Sequence, residues 1–174
     1  MASPTLVDDV FNGTVVLIIQ HNEEGAHGLV INRPMDLDTD IVAIDLGMEE
    51  TNTLEIPVMW GGPVSETMGF VIVEDPWDDD EELVNVGENM AVGISREVLR
   101  KAMTRANSRF MLCLGYSGWA PGQLESEMAS GAWVDVDLDH DLVFDEPFDE
   151  RWERAILQLG IENPLFLMTR PVDE

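Results

Sequence analysis

Positive charge is scarce in this sequence. Nine Lys and Arg stand against 35 Asp and Glu, for a formal net charge of -26, and Lys101 is the only lysine. Nucleic-acid binding draws on Lys and Arg that displace counterions from phosphates, so direct binding to DNA or RNA is disfavoured. The same field repels anionic membrane surfaces. Cysteine is nearly absent too: Cys113 stands alone, which excludes an internal disulfide. Its place inside an apolar run predicts a buried, inert thiol. No apolar stretch approaches the ~20 residues that a membrane-spanning helix needs. The opening "MASPTLVDDVF" has neither a basic n-region nor an apolar h-region, so a signal peptide is not expected and a cytoplasmic location is. Repeats, Pro/Ser linkers and low-complexity tracts are missing apart from "DDDEE" at 78–82.

What remains is enough for one domain over 1–174. The 174 residues are 45% hydrophobic, sufficient for a sizeable core. The acidic excess has two readings: adaptation to a salty cytoplasm, where carboxylates hold water and salt screens their repulsion, or ordinary solubility with chance enrichment.

Strand and helix signals alternate irregularly. "TVVLIIQ" (14–20) and "HGLVIN" (27–32) predict two strands joined by "HNEEGA". "DIVAIDLG" (40–47) predicts a short helix capped by Thr39 and stopped by Gly47. "IPVMW" (56–60), "MGFVIVE" (68–74) and "NMAVGIS" (89–95) read as strands, with an acidic loop inside 74–86. In "SREVLRKAMTR" (95–105), Val98, Leu99, Ala102 and Met103 share one helical face behind a Ser95 cap. "RFMLCLGY" (109–116) reads as a strand buried on both faces. "PGQLESEMASG" predicts a helix with Pro121 in its first turn and Gly131 at its stop. In "DERWERAILQLG" (149–160), Trp152, Ala155, Ile156 and Leu159 form one apolar stripe ending at Gly160. Without regular βαβ alternation, the class is mixed α+β.

Several segments imitate active sites. "GYSGW" places Ser117 near a G-x-S-x-G elbow, but Trp119 occupies the last position and neither His21, His27 nor His140 has the expected placement. The glycines of "GYSGWAPGQLESE" could expose helix N–H groups to a phosphate, yet no Lys follows and Glu125 and Glu127 lie nearby. They are read as a tight turn by which a buried strand enters a helix, with Trp119 as its anchor. "DVDLDHDLVFDE" aligns Asp135, Asp137, Asp139 and Glu146 with calcium-loop positions, but His140 replaces the required glycine. The run before it alternates Trp133, Asp135 and Asp137 against Val134, Val136 and Leu138, as in a strand. "HNEEG" reads as a solvated turn, and Arg33 as a partner in an internal ion pair. No catalytic residue, cofactor or metal site is assigned.

"HNEEGAHGLVINRP", "WGGPV", "GF", "LGYSGWAPGQLESE", "AW" and "RWERAILQLGI" occur in the order found in the YqgE/AlgH family. Over 11–161 the chain resembles these bacterial proteins closely. The resemblance implies a barrel-like, branched β-sheet surrounded by helices. It supplies no catalytic residues, and the family's label as transcriptional regulators implies a regulatory or protein-binding module rather than an enzyme. Its partner would then be a protein, not nucleic acid or membrane. The blocks point to a candidate patch of Asn32, Arg33, Gly61, Gly62, Tyr116, Trp119 and Gln123 at strand ends and loops. The alternative is a small-ligand protein or enzyme using the same Gly-rich loops, which a concave pocket containing Arg33 and a titratable neighbour would mark.

The salt adaptation is directly testable. The melting temperature should rise by about 5 °C or more from dilute buffer to molar KCl. An unchanged midpoint would remove salt as the reason for the charge.

Overall fold

The computed structural model describes residues 1–6, 10–37, 39–45, 47, 57–77 and 82–160. Its strands are β1 (Val16–Asn22), β2 (Gly25–Val30), β3 (Val58–Trp60), β4 (Val64–Glu74), β5 (Leu83–Gly87), β6 (Met90–Gly93) and β7 (Phe110–Trp119). Its helices are α1 (Thr39–Asp45), α2 (Arg96–Thr104), α3 (Gln123–Ala129), α4 (His140–Phe144) and α5 (Arg151–Gln158). The class is α+β, as the irregular alternation predicts. Ile56, expected at the start of a strand, and much of the acidic loop lie outside the described residues.

One sheet holds all seven strands, in the order β1-β2-β7-β4-β6-β5 with β3 also on β7. The pairings are antiparallel except that of β3 with β7. The branch lies along β7. β4 covers one edge, pairing from Val73↔Phe110 to Val64↔Tyr116. The other edge is divided: β3 takes Leu112 to Leu114, and β2 takes Ser117 to Trp119. Where they part, the Val30 N–H donates to Gly61 O at 2.9 Å. Beyond that point the chain runs beside β3, with Trp60 N–H donating to Arg33 O and Met35 N–H to Val58 O, each at 2.8 Å.

A strand alternates its side chains between two faces, but β7 does not keep one alternation throughout. Met111 and Cys113 belong to one hydrophobic cluster, while Phe110 and Leu112 belong to another. Tyr116 would follow the second set by period two, yet it packs on the first. The exchange occurs at Gly115, whose φ of 72° is left-handed. Such a residue makes a bulge that reverses facing. A Cβ at Gly115 would lie 2.3 Å from Gly62 O, and one at Gly62 would lie 2.2 Å from the Tyr116 carbonyl carbon. Gly62 itself has a φ of 151°. The β3–β4 turn thus sits directly on the β7 backbone with no room for a side chain.

Three cores result. The inner one joins Leu17, Leu29, Ile72, Val92 and Met111 to Leu142 and Ile156 of α4 and α5. Outside the sheet, α2 lays Val98, Leu99, Ala102 and Met103 on Val71, Val73 and Ala91. That is the predicted face, and Ser95 caps the helix by accepting from the Val98 N–H at 3.1 Å. At the other end, α3 packs Leu124 with Trp119, Ala26 and Trp133.

Several boundaries differ from the sequence reading. β7 runs through Ser117 to Trp119, because Gly115 bends the strand's facing without ending it. The β1–β2 turn is tighter than "HNEEGA", since Asn22 pairs with Gly25. Residues 135–138 form no strand; only Trp133 makes a bridge, to Ala2. α5 buries Arg151 with Ala155 and Ile156 and leaves Leu159 exposed, a rotation of the expected stripe.

Gly115→Ala should cost about 3 kcal/mol or more in chemical denaturation, from a disfavoured φ together with overlap on Gly62 O. Gly115→Asn should rescue little, because Asn tolerates left-handed backbone but still brings a Cβ. A near-native stability for the Asn variant would show that conformation alone, not close approach, demands glycine here.

Candidate functional site

β1 and β5 end the sheet, and the sheet curls until both border one cavity of about 420 Å³. The barrel is therefore nearly closed. Leu17 and Ile18 line the cavity from β1, and Val86 lines it from β5. Residues 133–138 run past the free side of β1 and contribute Trp133, Val134 and Val136 to the wall. Leu142 of α4 closes the inner side, and Leu124 and Met128 of α3 close the outer side. The wall is thus mainly aliphatic and aromatic. Its polar members are His21, Asp135 and Asp137. A mostly apolar concavity with a few polar groups is the usual form of a small-molecule site.

Two tryptophans are fixed at this cavity by one carboxylate. Trp119 Nε1 and Trp133 Nε1 both donate to Glu127 Oε2, at 2.9 and 2.7 Å. Gln123 Nε2 donates to Glu127 Oε1 at 2.8 Å, and Gln123 Oε1 accepts from the Ala120 N–H at 3.0 Å. The indoles meet edge to face at 5.5 Å, and Phe11 continues the stack onto Trp133 at 5.5 Å and Trp60 at 6.0 Å. The Arg33 guanidinium lies over Trp60 at 5.2 Å. Such aromatic pairs are worth about 0.5–1.5 kcal/mol each beyond burial, so this ladder helps anchor Trp119 and Trp133 in the cavity wall.

His21 at the rim is held by Glu125, Nε2 to Oε1 at 2.7 Å, which ties the β1–β2 hairpin to α3. The Glu125 carboxyl is held below the usual range by its backbone N–H and then by His21. Met1 closes another wall; its α-amino group donates to Val134 O at 2.8 Å, and burial lowers its pKa to about 6.

Of the seven patch residues, Trp119 alone lines this cavity. Asn32 is a clamp: its Oδ1 accepts from the Val15 N–H and its Nδ2 donates to Gly13 O, both at 2.8 Å. Arg33 bonds the carbonyls of Val10 and Asn12 and stacks on Trp60, so its internal partners include backbone and an aromatic ring. Gly61 and Gly62 serve the close approach to β7. Tyr116 packs against Phe70 and His27 with the inner cluster, on the face of the sheet opposite Trp119. The structure thus joins Arg33, Trp119 and Gln123 through the aromatic ladder and separates Tyr116 from them.

The imitations of active sites are also placed. Ser117 is fully buried within β7 and its Oγ donates to Gly61 O at 3.2 Å. Cys113 is fully buried, and burial pushes its thiol up to about 12, the inert state expected. The calcium-loop acids are dispersed: Asp139 caps α4, and Glu146 pairs with Arg154 at 3.1 Å. His140, Asp141 and Asp145 do cluster, but His140 Nε2 pairs with Glu74 at 2.7 Å and Asp145 with Arg109 at 2.7 Å.

Sequence reasoning missed Glu127, Trp133 and the cavity itself. The alternation of Trp133, Asp135 and Asp137 with Val134 and Val136 was the available signal: those residues do present two sides, but to a cavity instead of a sheet. Glu127→Ala should lower stability by about 2 kcal/mol, from two charge-assisted indole bonds. It should also shift tryptophan emission to longer wavelength; an unmoved spectrum would deny Glu127 its place between the indoles.

The family model described as "DUF179: AlgH-like" matches residues 1–164. The UPF0301 protein of Anaeromyxobacter dehalogenans is 40% identical over 177 residues, covering 97% of this chain and 89% of the relative. That of Ralstonia nicotianae is 42% identical over 171 residues, covering 96% and 88%. The solution structure of the AlgH protein from Pseudomonas aeruginosa superposes with a TM-score of 0.77 at 32% identity, covering 100% of this chain and 93% of that one.

Proposed function

The chain belongs to the AlgH-like family, and from that premise we propose that it is a non-enzymatic module that binds a small amphiphile in the seam cavity. The supporting observation is the cavity, about 420 Å³ of mostly apolar wall with Asp135 and Asp137 among its few polar members. Those carboxylates, on a chain of net charge -26, favour a cationic or hydrogen-bond-donating head on an apolar body. Burial of the Ser117 hydroxyl and the Cys113 thiol supports binding over nucleophilic catalysis. The acidic field also turns any regulatory output toward protein contacts and away from nucleic acid.

Octylamine, octanol and octanoate test this reading, with Trp119 and Trp133 as the fluorescent reporters. Octylamine should bind saturably and raise the melting temperature; octanoate should bind about tenfold more weakly or worse. Val136→Phe, which fills the cavity, should abolish binding with the fold intact by circular dichroism. Replacing Asp135 and Asp137 together by Asn should erase the preference for the amine while octanol still binds. If none of the three probes gives a saturable response, the reading fails.

A further inference from the structure

We infer that a second pocket, between the start of β7 and helices α4 and α5, is a binding site for a small organic carboxylate. Its volume is about 220 Å³. That is the space of roughly seven waters at about 30 Å³ each, suited to a small ring or short chain with one acid group. Among the described residues, no Asp or Glu lines it, in a chain with 35 of them. The polar lining consists of Ser108, Arg109 and Arg151, and the remainder is apolar, including Met111 and Phe148.

Arg151 is the decisive residue. It is 1% exposed, one of the largest fully buried side chains in the protein. A cation withdrawn from water is costly unless a carboxylate balances it. Among the described residues no carboxylate forms an ion pair with Arg151; Glu146, a carboxylate that acts on its charge, is paired with Arg154 at 3.1 Å. Its contacts are neutral: Nε donates to Glu146 O at 3.1 Å, Nη1 donates to Ile31 O and touches Met111 Sδ at 4.0 Å, and the guanidinium lies over Phe148 at 4.5 Å. Among the described residues, no acceptor is placed on Nη2. Burial lowers the guanidinium pKa to about 10, which still leaves it charged at neutral pH.

A second observation points to the same space. Ser108 Oγ is buried and makes no hydrogen bond, the only such side-chain atom among the described residues. Buried hydroxyls ordinarily find a partner. Here the residues that carry an unbalanced guanidinium and an unpartnered hydroxyl line one pocket, and a carboxylate is the group that can accept from both. Arg109 stands at this pocket already neutralised, Nη1 to Glu74 at 3.1 Å and Nη2 to Asp145 at 2.7 Å, so it frames the site and leaves Arg151 as the charge that selects the anion. The aromatic and aliphatic lining selects an apolar body over a bare inorganic ion.

The test uses benzoate, benzamide and inorganic phosphate on the whole chain, followed by calorimetry and by the NMR shifts of arginine Nε–H groups. Benzoate should bind saturably and move the Arg151 Nε–H resonance; benzamide and phosphate should bind at least about tenfold more weakly. Ser108→Ala should weaken benzoate by about tenfold without lowering the melting temperature, since it deletes a hydroxyl that has no partner in the free protein. Arg151→Lys, which keeps the charge and loses the planar fork, should also weaken it. Val136→Phe in the seam cavity should leave benzoate affinity unchanged. Equal binding of benzamide, an unchanged affinity in Ser108→Ala, or loss of benzoate in Val136→Phe would each overturn the assignment. If the Lys variant fails to fold, the Ser108 and Val136 variants decide alone.

Discussion

The fold turns on a contact between backbones. The β3–β4 turn and β7 lie so close that a Cβ at Gly115 would overlap Gly62 O, and one at Gly62 would overlap the backbone of Tyr116 and Ser117. Because Gly115 is left-handed there, β7 reverses its facing in mid-strand. The first half of β7 can then serve the α2 layer and the inner core, and the second half can send Trp119 outward to α3 and Tyr116 inward. A strand with regular alternation would place Tyr116 against α2 and drive Trp119 into the barrel. The divided edge of β7, shared by β3 and β2, follows from the same contact, since the β3–β4 turn sits where β2 takes over.

That geometry also makes the seam cavity. Trp119, turned outward, is held beside Trp133 by Glu127 in the cavity wall. Residues 133–138 span the remaining distance without joining the sheet, so a space persists between the two end strands. Main-chain pairing would have filled this gap; side chains only line it. No helix among the described residues is long and apolar enough to cross a membrane.

Much of this was legible in the amino-acid order, and for local reasons. The α2 face follows from i, i+3, i+4 spacing behind Ser95, and both flank and face are as read. Cys113 inside "RFMLCLGY" is buried as an apolar run implies. The Gly-rich blocks were legible as architecture, but their mechanism was not: Gly61 and Gly62 meet Gly115 across more than fifty residues of chain, and spacing says nothing about such a meeting. Arg151 defeated pattern reading because an arginine beside Trp152 looks like a solvated neighbour, whereas tertiary packing rotates α5 to bury it and to expose Leu159. Of the patch built on family blocks, Arg33, Trp119 and Gln123 are linked through the aromatic ladder, while the Gly115 reversal puts Tyr116 on the face opposite Trp119. The cavity was illegible because Leu17, Val86 and Val136 meet only once the barrel curls.

The central claim is that the seam of this barrel holds an accessible apolar space. Methyl NMR under xenon pressure addresses it most directly, because xenon enters dry apolar cavities without needing a specific ligand. The methyls of Leu17, Val86, Val136 and Leu142 should shift saturably, while those of Val73 and Val98, buried under α2, stay in place. Shifts confined to the α2 layer, or none at any pressure, would contradict the account.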